Sequence, residues 1–179
     1  MEDYMEVLMY PMGRFIPAAS YSADNLASWI GGIRSAPLMY DYCIQNLDEA
    51  QLNTPYRPGG WNVIQVVHHV ADSHMNAYIR LKLALTEDKP TISPYNEQLW
   101  AELTDVQLVP LNVSITLLHA LHRRWTALLD SLEEQDWTRE YYHPASQEYM
   151  PLWQMTNQYN WHGMHHAEHI LALRRRMKW

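Results

Sequence analysis

Histidine is the residue type that stands out in this chain: ten of its 179 residues are His, beside a single Phe. Imidazole is the commonest protein metal ligand and a frequent acid or base near neutral pH. Three of the ten fall where a helix seam calls for apolar side chains. In steps of three and four, Leu152, Met155 and Tyr159 lead to His162, His166 and His169, and then to Leu173. A buried ring nitrogen without a partner costs about 1–3 kcal/mol, so a metal ion or a hydrogen-bond network must supply partners. His162 and His166, one helical turn apart, point the same way and are within chelating reach of one ion.

Two ligands do not fill a coordination sphere, and a third has to come from another element. The stretch after Asn62 offers His68, His69 and His74. His74 falls within its apolar stripe, His69 on the shoulder of that stripe, and His68 points away. Periodicity does not choose between His69 and His74, and His122 on a later segment is a further candidate. His119 and His143 have the setting of surface or loop residues.

Other chemistries find less support. His165-His166-Ala167-Glu168-His169 satisfies the H-x-x-E-H pattern, but that site needs an acidic ligand farther on, and residues 170–179 contain no Asp or Glu. A carboxylate-bridged di-iron centre wants Glu from all four helices and two Glu-x-x-His motifs. Only Glu140-x-x-His143 is present, in a turn region. There is no G-x-S-x-G elbow, P-loop or dinucleotide fingerprint. Cys43, the sole cysteine, has no local activating partner and suits a small core position.

The elements that must position these groups are helical. Apolar periodicity predicts helices over 22–48, 62–86, 112–132 and 151–177. Ser22 is placed to cap the first, and Asn62 with Gln65 forms a capping-box pattern on the second. Gly31, Gly32 and Pro37 are expected to kink or split the first. Pro151 suits a first helical turn, and Arg174, Arg175, Arg176 and Lys178 complement the dipole at the far end of the last. Residues 87–110, with Pro90, Pro94 and Pro110, are too long for a tight hairpin and predict a crossover. Tyr141–His143 and Glu148–Met150 can form a small hairpin. The fold expected is all-α, a four-helix bundle with one long crossover, in one domain over 1–179, with 1–21 as an extended N-terminal arm.

Composition narrows the function. Against 13 Lys and Arg stand 20 Asp and Glu, a net charge of -7, which argues against sequence-independent nucleic-acid binding. No apolar run is long enough to span a membrane, and no basic start precedes an apolar stretch. The expectation is therefore a soluble, cytoplasmic protein with no membrane partner. The 8 Trp and 12 Tyr include candidates for a contact surface.

The run RPGGWNVIQVVHHVADSHMNAYIRLKLALTE, then LHRRWTALL, then YNWHGMHHAEHI resembles the YfiT-type metal-dependent hydrolases of the DinB-like superfamily of four-helix proteins. The likeness extends from the Tyr10-Pro11-Met12-Gly13 segment to the end. It implies one divalent metal per chain, assigned as zinc, on three histidines; imidazole ligands by their chemistry also suit nickel. Position by position these are His69, His162 and His166. It also implies a homodimer and a small-molecule substrate. Three neutral imidazoles leave coordination positions open, the arrangement of catalytic rather than structural zinc. The implied reaction is hydrolysis by a metal-activated water. One alternative is a bacillithiol-type transferase that holds a low-molecular-weight thiol as metal-bound thiolate. Another is a non-enzymatic metal-binding stress protein. No catalytic residue beyond the ligands follows from the resemblance.

Overall fold

The computed structural model describes residues 2–179. In chain order its helices begin with α1 (Glu2–Met9), α2 (Ala23–Ile44), α3 (Glu49–Leu52) and α4 (Val63–Thr86). They continue with α5 (Glu97–Trp100), α6 (Thr104–Leu108) and α7 (Leu111–Leu129). Strands β1 (Glu140–His143) and β2 (Glu148–Pro151) form an antiparallel hairpin before α8 (Leu152–Met177). The four long helices fall where apolar periodicity puts them. The Asn62 cap is complete: Gln65 N–H donates to Asn62 Oδ1 at 2.8 Å, and Asn62 N–H to Gln65 Oε1 at 3.0 Å. Ser22 Oγ caps α2 by accepting from Asn25 N–H. The expected extended arm is corrected in part, because Glu2–Met9 is helical; Met1 lies outside the described residues. The signal at 2–9 was too short to weigh against Pro11, Gly13 and Pro17 just beyond it.

Helix directions follow from the side chains that meet. His68 reaches Ser114 and His74 reaches His122, so α4 and α7 run parallel. Two parallel neighbours joined in sequence require the chain to return along the bundle, which residues 87–110 do. Tyr40 bonds Gly163 and Arg174 bonds the carbonyl of Cys43, so α2 and α8 are also parallel. Arg174 Nη1 also takes the carbonyls of Tyr42 and Gln45, closing the C-terminal end of α2. Each long helix packs against two others, α2 with α7 and α8, and α4 with α7 and α8. The sequential pairs α2/α4 and α7/α8 therefore stand on the diagonals.

The interior consists of two apolar clusters. One contains Leu26, Ile33, Ala77, Leu81, Trp125, Leu129, Leu152 and Met155. The other contains Tyr40, Cys43, Val63, Val67, Val70, Leu118, Ala167, Ile170 and Leu173. Histidines occupy the layer between them, since His74 and His122 fall between the two clusters along their helices and are 0% and 1% exposed. Helix α2 is not split as expected but runs unbroken from Ala23 to Ile44. Pro37 has no N–H, which strips the Ile33 carbonyl of its i+4 donor. His122 supplies the replacement, with its Nδ1 at 2.6 Å from the Ile33 oxygen.

Candidate metal centre

His69 on α4 and His162 and His166 on α8 each present one ring nitrogen, and these three atoms all lie within 4.8 Å of one another. His162 and His166 come together because they are one turn apart on one helix. His69 reaches them because α4 packs against α8. No hydrogen bond joins any two of these rings among the described residues. Converging lone pairs with no proton between them suit a shared cation, and the donor set, three imidazoles without a carboxylate or thiolate, suits a borderline metal ion. Among the described residues this is the cluster of His, Cys, Asp or Glu able to hold a metal.

The rings are held neutral. Burial pushes the His69 imidazole down to about 4, with the neighbouring His169 adding repulsion. Burial also takes His162 and His166 well below the ordinary histidine range, reinforced in both by charge repulsion from the other rings of the cluster. Neutral imidazole is the form that binds a metal.

A chain of hydrogen bonds sets the tautomer of one ligand. The Ile33 carbonyl only accepts, so His122 Nδ1 must carry the proton and donate to it. In neutral His122 the other nitrogen, Nε2, then accepts, and His74 Nδ1 donates to it at 2.8 Å. His74 Nε2 is in turn an acceptor, and His162 Nδ1 donates to it at 3.1 Å. What remains is the lone pair on His162 Nε2, available to the cluster. Burial keeps all three rings neutral, holding His122 down to about 4 and His74 well below its ordinary value. The carbonyl freed by Pro37 thus fixes, through two buried rings, which nitrogen His162 offers. Gly163 makes room for this, since a Cβ there would stand 3.3 Å from His74 Cε1.

Two cavities flank the cluster. One, of about 210 Å³, is walled by Tyr10, Tyr56, Arg57, Trp61 and Glu97 and reaches His165, His166 and His169. The other, of about 250 Å³, is walled by Ser73, Arg80, Tyr95, Glu97, His143 and Tyr159 and reaches His162. Among the described residues Glu97 is the only carboxylate on either wall. Trp61, carried by the loop before α4, packs on the His69 ring with centroids 4.6 Å apart, and its Nε1 donates to Gln98. A larger cavity of about 820 Å³, between α3, α6 and the start of α4, holds none of the histidines.

The remaining histidines have other partners. His68 is buried rather than turned to solvent, against Ser114 Oγ at 2.7 Å. His165 is also buried, stacked on Trp161, and lies outside the cluster. His169 Nε2 donates to the Met9 carbonyl, and its ring stacks on Tyr56 at 4.0 Å. His119 pairs with Asp41 at the surface. His143, expected to be a mere loop residue, lines the second cavity. Sequence reasoning missed Glu97 and Arg80. Glu97 opens the four-residue helix α5 within the crossover, where only the folded path brings it to the cavities. Arg80 has the spacing of an ordinary long side chain covering a helix flank.

Comparison with known proteins agrees with this architecture. A Bacillus pumilus protein named "Putative metal-dependent hydrolase" is 45% identical over 98% of this chain and 99% of its own length. A Bacillus cereus protein of the same name is 49% identical over 98% of this chain and the whole of its own. The solved structure of YfiT from Bacillus subtilis, described as "a probable metal-dependent hydrolase with an unusual four-helix bundle topology", superimposes with a TM-score of 0.94. It is 46% identical and covers 97% of this chain and 99% of its own. The pattern of the DinB superfamily matches residues 34–170, which span all three clustered histidines and the rings that orient them, and the chain belongs to that superfamily.

Proposed function

We propose that the chain is a metal-dependent hydrolase of small molecules, with one divalent ion, zinc the first candidate, held by His69, His162 and His166. The observation that carries this reading is the convergence of three neutral, mutually unbonded imidazoles between two cavities. Such an ion would supply Lewis acidity to water and to a substrate carbonyl, with coordination positions left open by the three-ligand set. The protein's own groups do the remainder. His122 and His74 hold His162 with its Nε2 lone pair toward the cluster. Glu97, the one carboxylate among the described residues that lines both cavities, is the candidate to take the proton of the attacking water and return it to the leaving group. The names of the Bacillus relatives support the same reading.

Elemental analysis and turnover test it. The purified chain is expected to carry one equivalent of divalent metal and to hydrolyse members of an ester and amide panel without added thiol. Chelation should abolish turnover, and metal should restore it. Turnover of an electrophile only with bacillithiol would assign thiol transfer instead. Metal binding with neither activity would leave a binding protein.

A further inference from the structure

The cavity that reaches His162 contains a charge that metal binding does not explain. Arg80, on α4, is only 8% exposed. Its Nη1 donates to Tyr159 Oη at 3.3 Å, and its Nε has no partner among the described residues. Among the described residues it makes no ion pair, although five other such pairs form. A guanidinium does not shed its proton, so burying one without a counter-ion is costly. The carboxylate on the same wall, Glu97, is exposed and beyond ion-pair distance. His143 also faces the cavity, and burial followed by repulsion from Arg80 lowers its pKa, so it adds hydrogen-bonding capacity without charge. Ser73, Tyr95 and Tyr159 complete a wall of hydroxyls around the single cation.

We infer that this cavity binds the carboxylate of the substrate on Arg80, so that the molecules hydrolysed are small organic acids. The planar guanidinium fork matches a carboxylate in two parallel hydrogen bonds. A single positive charge facing a rim glutamate suits a monoanion better than a phosphate dianion. The volume, about 250 Å³, lies below the 300–1,000 Å³ of typical drug-sized ligand sites and suits a small acid. Because Arg80 and His162 line one cavity, an acid anchored there directs the rest of its length toward the histidine cluster. The substrate assignment rests on the hydrolase reading; the anion site stands on Arg80 alone.

The test is calorimetric titration of the full chain, as purified and after chelation, with benzoate, its neutral isostere benzamide and inorganic phosphate. Benzoate is expected to bind at least about tenfold more tightly than either of the others in both forms, the difference made by a charged hydrogen bond. Arg80→Gln should bring benzoate down to the benzamide level while leaving metal content unchanged. Should circular dichroism show that Arg80→Gln does not fold, Arg80→Lys, which keeps the charge but loses the fork, is expected to weaken benzoate measurably. Equal binding of benzoate and benzamide would overturn the inference, and so would undiminished benzoate binding in the folded Gln variant or in the Lys variant. Phosphate binding tighter than benzoate would overturn the choice of a carboxylate. If no form of the protein holds metal, the hydrolase reading fails, yet the benzoate comparison still decides the role of Arg80.

Discussion

Replacing His122 by Leu probes the line of hydrogen bonds from Pro37 to the metal ligands. Leucine fills most of the space of the imidazole, so the loss is chiefly of polar partners. Two are lost at once: the Ile33 carbonyl, at 2.6 Å from His122 Nδ1, and the His74 Nδ1–H, at 2.8 Å from His122 Nε2. Each orphaned buried group costs about 1–3 kcal/mol, giving a total of about 2–6 kcal/mol in chemical denaturation. Freed of its acceptor, His74 can place its proton on Nε2, which removes the acceptor for His162. Metal affinity should then fall about 10–100-fold, the usual effect of losing an outer partner of a ligating histidine. Adding Pro37→Ala separates the two effects. The alanine N–H returns to the Ile33 carbonyl and recovers about 1–3 kcal/mol, but His74 still lacks its acceptor and metal affinity stays low. Competition titration with a chromophoric chelator measures affinity, and ¹⁵N shifts of the imidazoles report the His162 tautomer directly. An affinity unchanged in His122→Leu, or restored in the double variant, would show that the tautomer is not set along this path.

Further expectations concern pH, packing and ligand choice. His69 and His122 are each held down to about 4 from the ordinary 6.5. The unfolded chain therefore binds more protons between those values, so stability is full above pH 6.5 and declines as pH falls toward 4. At pH 5 these two rings alone cost about 2 kcal/mol each, and urea midpoints that match at pH 7 and pH 5 in the metal-free protein would contradict this. Gly163→Ala gains about 1 kcal/mol of helix propensity but crowds His74. The variant should lose metal affinity while its melting temperature holds or rises, and a gain in both would refute the packing role. His166→Ala should lose the metal, whereas His68→Ala and His165→Ala should keep it. Equal metal loss in the His68 and His166 variants, read by elemental analysis, would show a wrong ligand set.

The bundle was legible from the chain because its signals are local. Asn62 and Gln65 mark a helix start within four residues, and the stripe Leu118, Leu121, Trp125 in α7 repeats within two turns. The parallel neighbours α4 and α7 were foreshadowed by the length of residues 87–110 alone. The continuity of α2 was not legible, because the donor that takes the carbonyl freed by its proline sits 89 residues from that carbonyl, on α7. Nor could stripe position separate His69 from His74: both rings are buried, at 4% and 0% exposure, and both approach His162. They differ in what surrounds them. His74 has a ring partner on each nitrogen, while neither His69 nitrogen has a bonded neighbour among the described residues. That distinction exists only once four helices meet.

The polar layer between the two apolar clusters also bears on how the helices find their alignment. Apolar side chains tolerate many neighbours, and a bundle stitched from Leu and Val alone can slide by a turn, about 5.4 Å, with modest loss. Here a one-turn slip of α8 toward its N-terminal end would carry His162 away from His74 and toward Ala77 and Leu81 of α4, stranding imidazole nitrogens among hydrocarbon. The same slip would draw Tyr40 from the Gly163 carbonyl it meets at 2.7 Å. The histidines thus act as a ruler during assembly: they penalise every offset but one, before any ion arrives to reward it.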